Sequence, residues 1–173
     1  MGFKLLTLIL ILLRFMKFQD FFVTLHMLAS SKDITGGKNM DKYDVQSITI
    51  KAPFKKVFDF VVSAQNLPKW TNAFKNAENG AALMVTPNGE ISIKLEVKSD
   101  PGCGNIDWYM TFPDDTEGRA YSRVVSLDQD QVLYSFILLA PPVPLEQLEG
   151  ALEEQKLILA EELKRLKKIL ESR

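Results

Sequence analysis

The chain of 173 residues contains one cysteine and one histidine. Cys103 has no second thiol to pair with, so an intrachain disulfide and a cysteine-held metal cluster are both excluded. His26 is the sole imidazole. A site built from several histidines is therefore impossible, and a Ser-His-Asp or Cys-His arrangement would have to borrow His26 from the far N-terminal region. Charge of one sign is lacking too. The 21 Lys and Arg residues stand against 22 Asp and Glu residues, leaving a net charge of -1 and nothing that points to nucleic acid. No glycine-rich phosphate loop follows a strand, and Gly102-Cys103-Gly104 is too short a signal to count as one.

What is present is an ordinary globular balance, with 46% apolar and 25% charged residues. The length suits one domain with a hydrophobic core that needs no covalent staple. Residues 1–39 differ from the rest. Leu5 to Leu13 is strongly apolar behind Lys4, but Arg14, Lys17 and Asp20 interrupt the run. It falls well short of the roughly 20 residues that span a bilayer. Three readings stay open: an interfacial amphipathic helix, a degenerate signal peptide, or a start upstream of the true one, with Met40 opening the protein. The last is favoured, because Ser30 to Asn39 is polar, carries Gly36-Gly37 and makes a good linker. The expected division is an extension over 1–39 and one domain over 40–173.

Within the domain, Asp44 to Lys51 reads as a strand with Val45, Ile48 and Ile50 as its β-branched residues and Gln46 and Thr49 as polar partners. Pro53 opens a helix whose face is Phe54, Val57, Phe58, Val61 and Val62, ending near Ser63. Gln65 to Trp70 reads as a second short helical turn. The period then changes to two. Strands are expected over Phe74 to Glu78, Ala81 to Thr86, Ile91 to Lys98, Ile106 to Phe112, Arg119 to Leu127 and Val132 to Leu139. Turns are expected at Asn79-Gly80, Pro87 to Glu90, Asp100 to Gly104, Pro113 to Gly118 and Asp128 to Asp130. Ala140 to Pro144 stops the last strand. From Leu145 to about Glu171, leucines at 145, 148, 152, 159, 163, 166 and 170 lie three, four or seven apart, while Glu161, Glu162, Lys164, Lys167 and Lys168 fill a wet face. That is one long amphipathic helix, read as a core helix with a coiled-coil partner as the alternative.

The expected fold class is α+β. A curved antiparallel sheet of about seven strands wraps a long C-terminal helix, with two short helices after the first strand. The leucine stripe and the concave sheet face must each bury an apolar surface, and each can cover the other.

The segment Ile48-Thr49-Ile50-Lys51-Ala52-Pro53, followed by Val57-Phe58-Asp59-Phe60-Val61 and Asn66-Leu67-Pro68-Lys69-Trp70, resembles the opening of the SRPBCC superfamily, the START and birch-pollen-allergen-like proteins. Ile106-Asp107-Trp108 and Ser122-Arg123-Val124-Val125 are similar to its middle strands. Glu161 to Lys167 resembles the terminal helix of the bacterial polyketide cyclase/dehydrase-like branch. The resemblance covers about Tyr43 to Arg173 and implies the helix-grip fold. It implies a cavity for a small hydrophobic molecule: a lipid, a polyketide or an aromatic metabolite. The superfamily contains carriers as well as cyclases, so the fold leaves the activity open.

The inferred inward rows are mostly Ile, Leu, Val, Met, Phe and Trp, which favours binding over catalysis. The expected ligand-lining residues are Trp70, Ile93, Leu95, Trp108, Met110 and Phe112, with Tyr134, Phe136, Leu152 and Leu159. Trp70 is placed at the mouth or, equally, as a plain anchor. If the chain is an enzyme, it is a cyclase or dehydratase without metal or histidine, and Tyr134, Tyr121 and Asp107 are the candidates for acid-base help. A hairpin folded about Asp115 sets Tyr109 opposite Tyr121 and Asp107 opposite Arg123, as a surface ion pair or, after a register slip, as a cavity site. No cofactor is expected. The expected partner is a small hydrophobic molecule and not a nucleic acid, with weak membrane association through residues 1–28 as a further reading. The protein is expected to be a monomer or weak homodimer. The expected location is the cytoplasm, or a membrane or the exterior if residues 1–31 act as anchor or signal. An interaction module, docking a partner through the terminal helix or the N-terminal segment, is the third functional reading.

Overall fold

The computed structural model describes residues 43–86, 89–139 and 145–172, with side chains in the last segment described from Glu153 onward. The expected N-terminal helix and linker, the Pro87-Asn88 turn tip, the Ala140 to Pro144 stop and the side chains of Leu145, Leu148 and Leu152 lie outside the described residues.

Strand β1 spans Tyr43–Ile50 and helix α1 spans Phe54–Val62. A 3₁₀ turn over Ala64–Asn66 leads into α2, Leu67–Trp70. Strands β2 (Phe74–Glu78), β3 (Ala81–Thr86), β4 (Gly89–Asp100), β5 (Asn105–Thr111), β6 (Glu117–Ser126) and β7 (Val132–Leu139) follow, and α3 runs from Leu145 to Glu171. All seven strands form one antiparallel sheet in the order β1-β7-β6-β5-β4-β3-β2. The meander from β2 to β7 needs only local connections, and β1 closes the sheet against β7.

Local chemistry explains the element ends. Pro53 is the N-cap of α1, where its missing N–H costs nothing, and Val57, Phe58 and Val61 form the buried face. The Asn66 side-chain amide donates to the Phe60 carbonyl at 2.8 Å, at the C-terminal end of that helix. Asn79 (φ 53°) and Gly80 (φ 77°) supply the two left-handed positions that a tight hairpin between β2 and β3 requires. Gly104 (φ 75°) is more constrained: a Cβ there would sit 2.1 Å from the Val124 carbonyl oxygen, and its own carbonyl accepts the Val124 N–H at 2.9 Å. The close β5–β6 approach therefore requires glycine at this turn.

Helix α3 packs its leucine stripe inward, with Leu159, Leu163, Leu166 and Leu170 all buried, while Leu157 is 74% exposed. Each buried leucine contributes roughly 1.5–3 kcal/mol. Polar ties fix the C-terminal half of the helix in place. Lys167 Nζ donates to the Thr49 carbonyl at 2.9 Å, the Lys51 N–H donates to Glu171 at 2.7 Å, and Lys56 Nζ donates to the Leu170 carbonyl at 2.7 Å.

Three sequence expectations are corrected here. In β1 the even positions face inward, so Gln46 is half-buried and Val45 is exposed. Gln46 is held there because its Nε2 donates both to Asp44 Oδ2 at 2.7 Å and to the Lys156 carbonyl of α3 at 2.8 Å. The β5–β6 register is shifted by two residues from a fold about Asp115: Asp107 faces Tyr121, Tyr109 faces Arg119, and Arg123 faces Asn105. The turn itself sets this register, through Phe112 N–H to the Thr116 carbonyl at 2.9 Å and Asp115, with φ 62°, at its tip. Finally, Glu162 is buried rather than on the wet face.

Candidate functional site

The strand register assigns every inward position. The concave face carries Asp44, Gln46, Ile48 and Ile50 on β1; Val132, Tyr134, Phe136 and Leu138 on β7; Ala120, Ser122 and Val124 on β6; Ile106, Trp108 and Met110 on β5; Ile91, Ile93, Leu95 and Val97 on β4; and Ala82 and Met84 on β3. Among the described residues, no strand places a Lys or Arg on this face. Strand β6 presents its smallest side chains inward, and Phe112 and Met110 lean over Gly118, where an added Cβ would meet them at 3.2 and 3.4 Å.

Burial along the concave face is graded. Ile50, Val132, Tyr134, Val124 and Ile106 are essentially inaccessible. Phe136, Leu138, Met110, Phe112, Ile91 and Met84 are only partly buried. Phe136 pairs with Gln46 and Leu138 with Asp44, and Gln46 binds the Lys156 carbonyl. The less sealed end therefore lies toward the N-terminal part of α3.

Polar atoms in this interior are few. Ser122 donates its hydroxyl to the Ile106 carbonyl at 2.9 Å. The Tyr134 hydroxyl, the Trp108 and Trp70 Nε1–H groups and the Thr71 hydroxyl are buried without a hydrogen bond of ordinary length among the described residues. Burial pushes the Tyr134 phenol well above its ordinary pKa, and the neighbouring Ser122 side chain opposes this only in part. The phenol is thus a neutral donor, as the indole always is. A buried donor left unpaired costs about 1–3 kcal/mol, so each of these atoms is a place where an acceptor would be stabilised.

The structure gathers most of the expected lining residues on the inner side. Ile93, Leu95, Trp108 and Tyr134 are buried in the core, Met110, Phe112 and Phe136 are partly buried against it, and Leu159 faces it from α3. Trp70 is 2% exposed. It is a core anchor beneath α2 and does not sit at a mouth, because its ring is enclosed in the same cluster as Leu67 and Leu163.

The other acid-base candidates are not brought together. Asp107 and Tyr121 alternate with the inward residues Trp108, Ala120 and Ser122, so they occupy the opposite, outer face from Tyr134. Their own pairing is with each other, and Arg123 Nε instead donates to the Cys103 carbonyl at 3.0 Å. The outer face has a shallow groove of about 510 Å³ lined by Lys94, Glu96, Lys98, Tyr109, Glu117 and Arg119, among others. Lys98 and Arg119 lie 4.6 and 5.7 Å from the centre of the Tyr109 ring. Their charges are met by Glu96 at 3.5 Å and Glu117 at 2.7 Å, which leaves the groove nearly balanced.

Two features escaped the sequence reading. Ser122 gave no signal, since a lone serine in a strand is unremarkable. Glu162 did carry one: it lies three residues after Leu159 and four before Leu166, on the leucine stripe itself. Its carboxylate accepts the Asn72 backbone N–H at 2.5 Å, and Arg165 donates to the Asn72 side chain at 2.9 Å. Burial raises the Glu162 pKa, with the Asn72 N–H and Arg165 acting against it. Among the described residues no group of His, Cys, Asp and Glu is placed to hold a metal, and no helix is long and apolar enough to cross a membrane.

No protein-family model matches the sequence, and no curated protein matches it. Solved structures do. XoxI from Bacillus cereus is similar over 75% of this chain and 96% of its own, at 14% identity and a TM-score of 0.57. A START superfamily protein from Mycobacterium smegmatis matches over 74% of this chain and 98% of its own, at 14% identity and a TM-score of 0.53. The Zhui aromatase/cyclase from Streptomyces sp. R1128 matches over 75% and 93%, at 12% identity and a TM-score of 0.53. With its seven-stranded antiparallel sheet and long C-terminal helix, the chain has the helix-grip fold of the START-like, or SRPBCC, proteins.

Proposed function

We propose that the protein binds and carries a small, largely apolar molecule between the concave face of its sheet and α3. The observation that carries this reading is the graded burial of the inward row. Large apolar side chains at Met110, Phe112, Phe136 and Leu138 face inward yet keep access to solvent. Covering them would contribute about 25 cal/mol per Å² of apolar area, before the costs of association. The residues assigned to this role are Ile93, Leu95, Trp108, Met110, Phe112, Tyr134 and Phe136 on the sheet, with Leu159 and Leu152 from the helix and Trp70 as the anchor beneath.

Native mass spectrometry on protein purified under mild conditions, together with uptake of diphenylhexatriene, tests the proposal. The expected result is a co-purifying small molecule or saturable fluorophore binding that Phe136→Ala weakens. Neither a bound molecule nor uptake would end it.

A second reading is a cyclase or dehydratase. The fully buried, neutral Tyr134 hydroxyl favours it, as does likeness to an aromatase/cyclase. In that reading Tyr134 donates a hydrogen bond or a proton to a carbonyl oxygen of a polyketide-like substrate. Tyr134→Phe would then abolish turnover while the substrate still binds; retention of full turnover would exclude it.

A further inference from the structure

Resting on the binding reading above, we infer that residues 71–73 form a gate to the cavity, latched by the double grip of α3 on Asn72 and tightened when Glu162 takes up a proton.

The segment sits on the cavity rim. The partly buried apolar residues Phe74, Met84, Ile91, Phe112, Phe136 and Leu138 all lie at one end of the sheet, where β2 and β4 begin and β3, β5 and β7 end. At the opposite end Ile50, Ala77, Ile106, Val124 and Val132 are sealed. Residues 71–73 enter β2 at the less sealed end, directly before Phe74, and leave α2, which packs on α3.

Helix α3 holds one residue of this segment twice, from side chains one helical turn apart. Glu162 accepts the Asn72 backbone N–H at 2.5 Å, and Arg165 donates to the Asn72 side chain at 2.9 Å. Beneath the segment Leu67 and Trp70 are buried and make a fixed pivot. Two polar groups are held there at a cost. The Thr71 hydroxyl is buried without a hydrogen bond of ordinary length among the described residues, and Glu162 places an ionisable group on the leucine stripe. Both burials are relieved when residues 71–73 lift from α3 and water reaches them. A contact balanced in this way opens at lower free energy than the leucine packing around it.

The proton sets the balance. Burial raises the Glu162 pKa, so the latched form holds a proton more tightly than a form in which Glu162 meets water. Acid therefore closes the gate, and rising pH loosens it. Of the charged groups on the surrounding elements, Arg165 opposes the shift, as does the Asn72 N–H. Glu161 and Lys164 pair with each other at 2.6 Å, Lys69 is held by Asn66 at 2.7 Å and Lys75 by Glu90 at 2.7 Å. Glu78 lies at the far end of β2 from the rim.

Stopped-flow uptake of diphenylhexatriene by the full chain tests the gate, since the probe has no titratable group. Wild-type entry and exit should both slow by on the order of tenfold as pH falls from about 8 to about 5, with equilibrium affinity held within about twofold. Glu162→Gln keeps a neutral acceptor at every pH, so its rates should be slow and flat. Thr71→Val removes the buried hydroxyl without touching the latch and should slow entry about tenfold, whereas Arg165→Met should speed it about threefold. Wild-type rates that do not change with pH overturn the inference while leaving apolar binding intact. So does a pH dependence that Glu162→Gln retains. A shift in affinity with the rates of entry unmoved also overturns it, by placing these residues inside the binding site. Absence of diphenylhexatriene uptake at equilibrium overturns the binding reading itself and this inference with it. The wild-type pH series and Thr71→Val decide the matter even where Glu162→Gln fails to fold.

Discussion

The buried Glu162 carboxylate of α3 receives the backbone N–H of Asn72, a residue 90 positions earlier in the chain, at the start of the loop between α2 and β2. This bond fastens the terminal helix to the segment that carries Trp70. It also makes stability depend on pH, because burial raises the Glu162 pKa in the folded state.

The sign follows from linkage. A carboxyl whose folded pKa lies above its unfolded one binds more protons when folded. Its stabilising contribution is complete below the ordinary carboxylate value and is lost as pH rises through the raised, folded value. Glu162→Gln keeps the acceptor and removes the titration. The stability difference between wild type and this variant should therefore shift in favour of wild type as pH falls from neutral toward the ordinary carboxylate range. Thermal unfolding across that range measures it, and a difference that stays flat would contradict the burial of an ionisable group here. Glu162→Leu should cost about 1–3 kcal/mol, since it leaves the Asn72 N–H without its acceptor.

Gly104→Ala should destabilise the fold by about 2–4 kcal/mol. The new Cβ would meet the Val124 carbonyl oxygen at 2.1 Å in a backbone with φ of 75°. Urea unfolding should show a lower midpoint. A midpoint equal to wild type would mean that the β5–β6 turn differs from the one described.

Tyr134→Phe should behave in the opposite way to most core substitutions. The hydroxyl is fully buried, with only the Ser122 side chain acting on it and no hydrogen bond of ordinary length, so removing it relieves a desolvation cost while keeping the ring. Ligand-free protein should gain up to about 1 kcal/mol in stability. A loss of 2 kcal/mol or more would show that the hydroxyl has a strong internal partner.

Asp107→Asn and Tyr121→Phe change stability by no more than about 0.5 kcal/mol if the outer face is only a solvated surface. The binding of an apolar probe should be unaltered in both. A large fall in probe affinity for either would place that face in the site, against the observed register.

The separation of the two α3 leucine environments can be read the same way. Leu166→Ala empties a fully buried position and should cost about 2–5 kcal/mol. Leu157→Ala, at a 74% exposed position, should cost less than about 0.5 kcal/mol. Matching losses would mean that Leu157 is covered in solution.

The sequence by itself determined the elements whose cause is local. The leucine spacing marks α3 over Leu145 to Glu171, Pro53 marks the start of α1, and alternation from Ile91 to Lys98 and from Ile106 to Phe112 marks two strands and their inner faces. Short-range periodicity carries that information without reference to the rest of the chain. Tertiary structure alone decided the rest. Gln46 faces inward only because α3 brings the Lys156 carbonyl to it, Glu162 is buried only because Asn72 meets it, and Asp107 faces Tyr121 only because the 112–116 turn sets the register. Each outcome depends on a partner that is distant in the chain or on a turn geometry that shifts every pair at once. A polar side chain reads the same in sequence whether or not such a partner exists, so its burial becomes visible only when the sheet and helix have closed on each other.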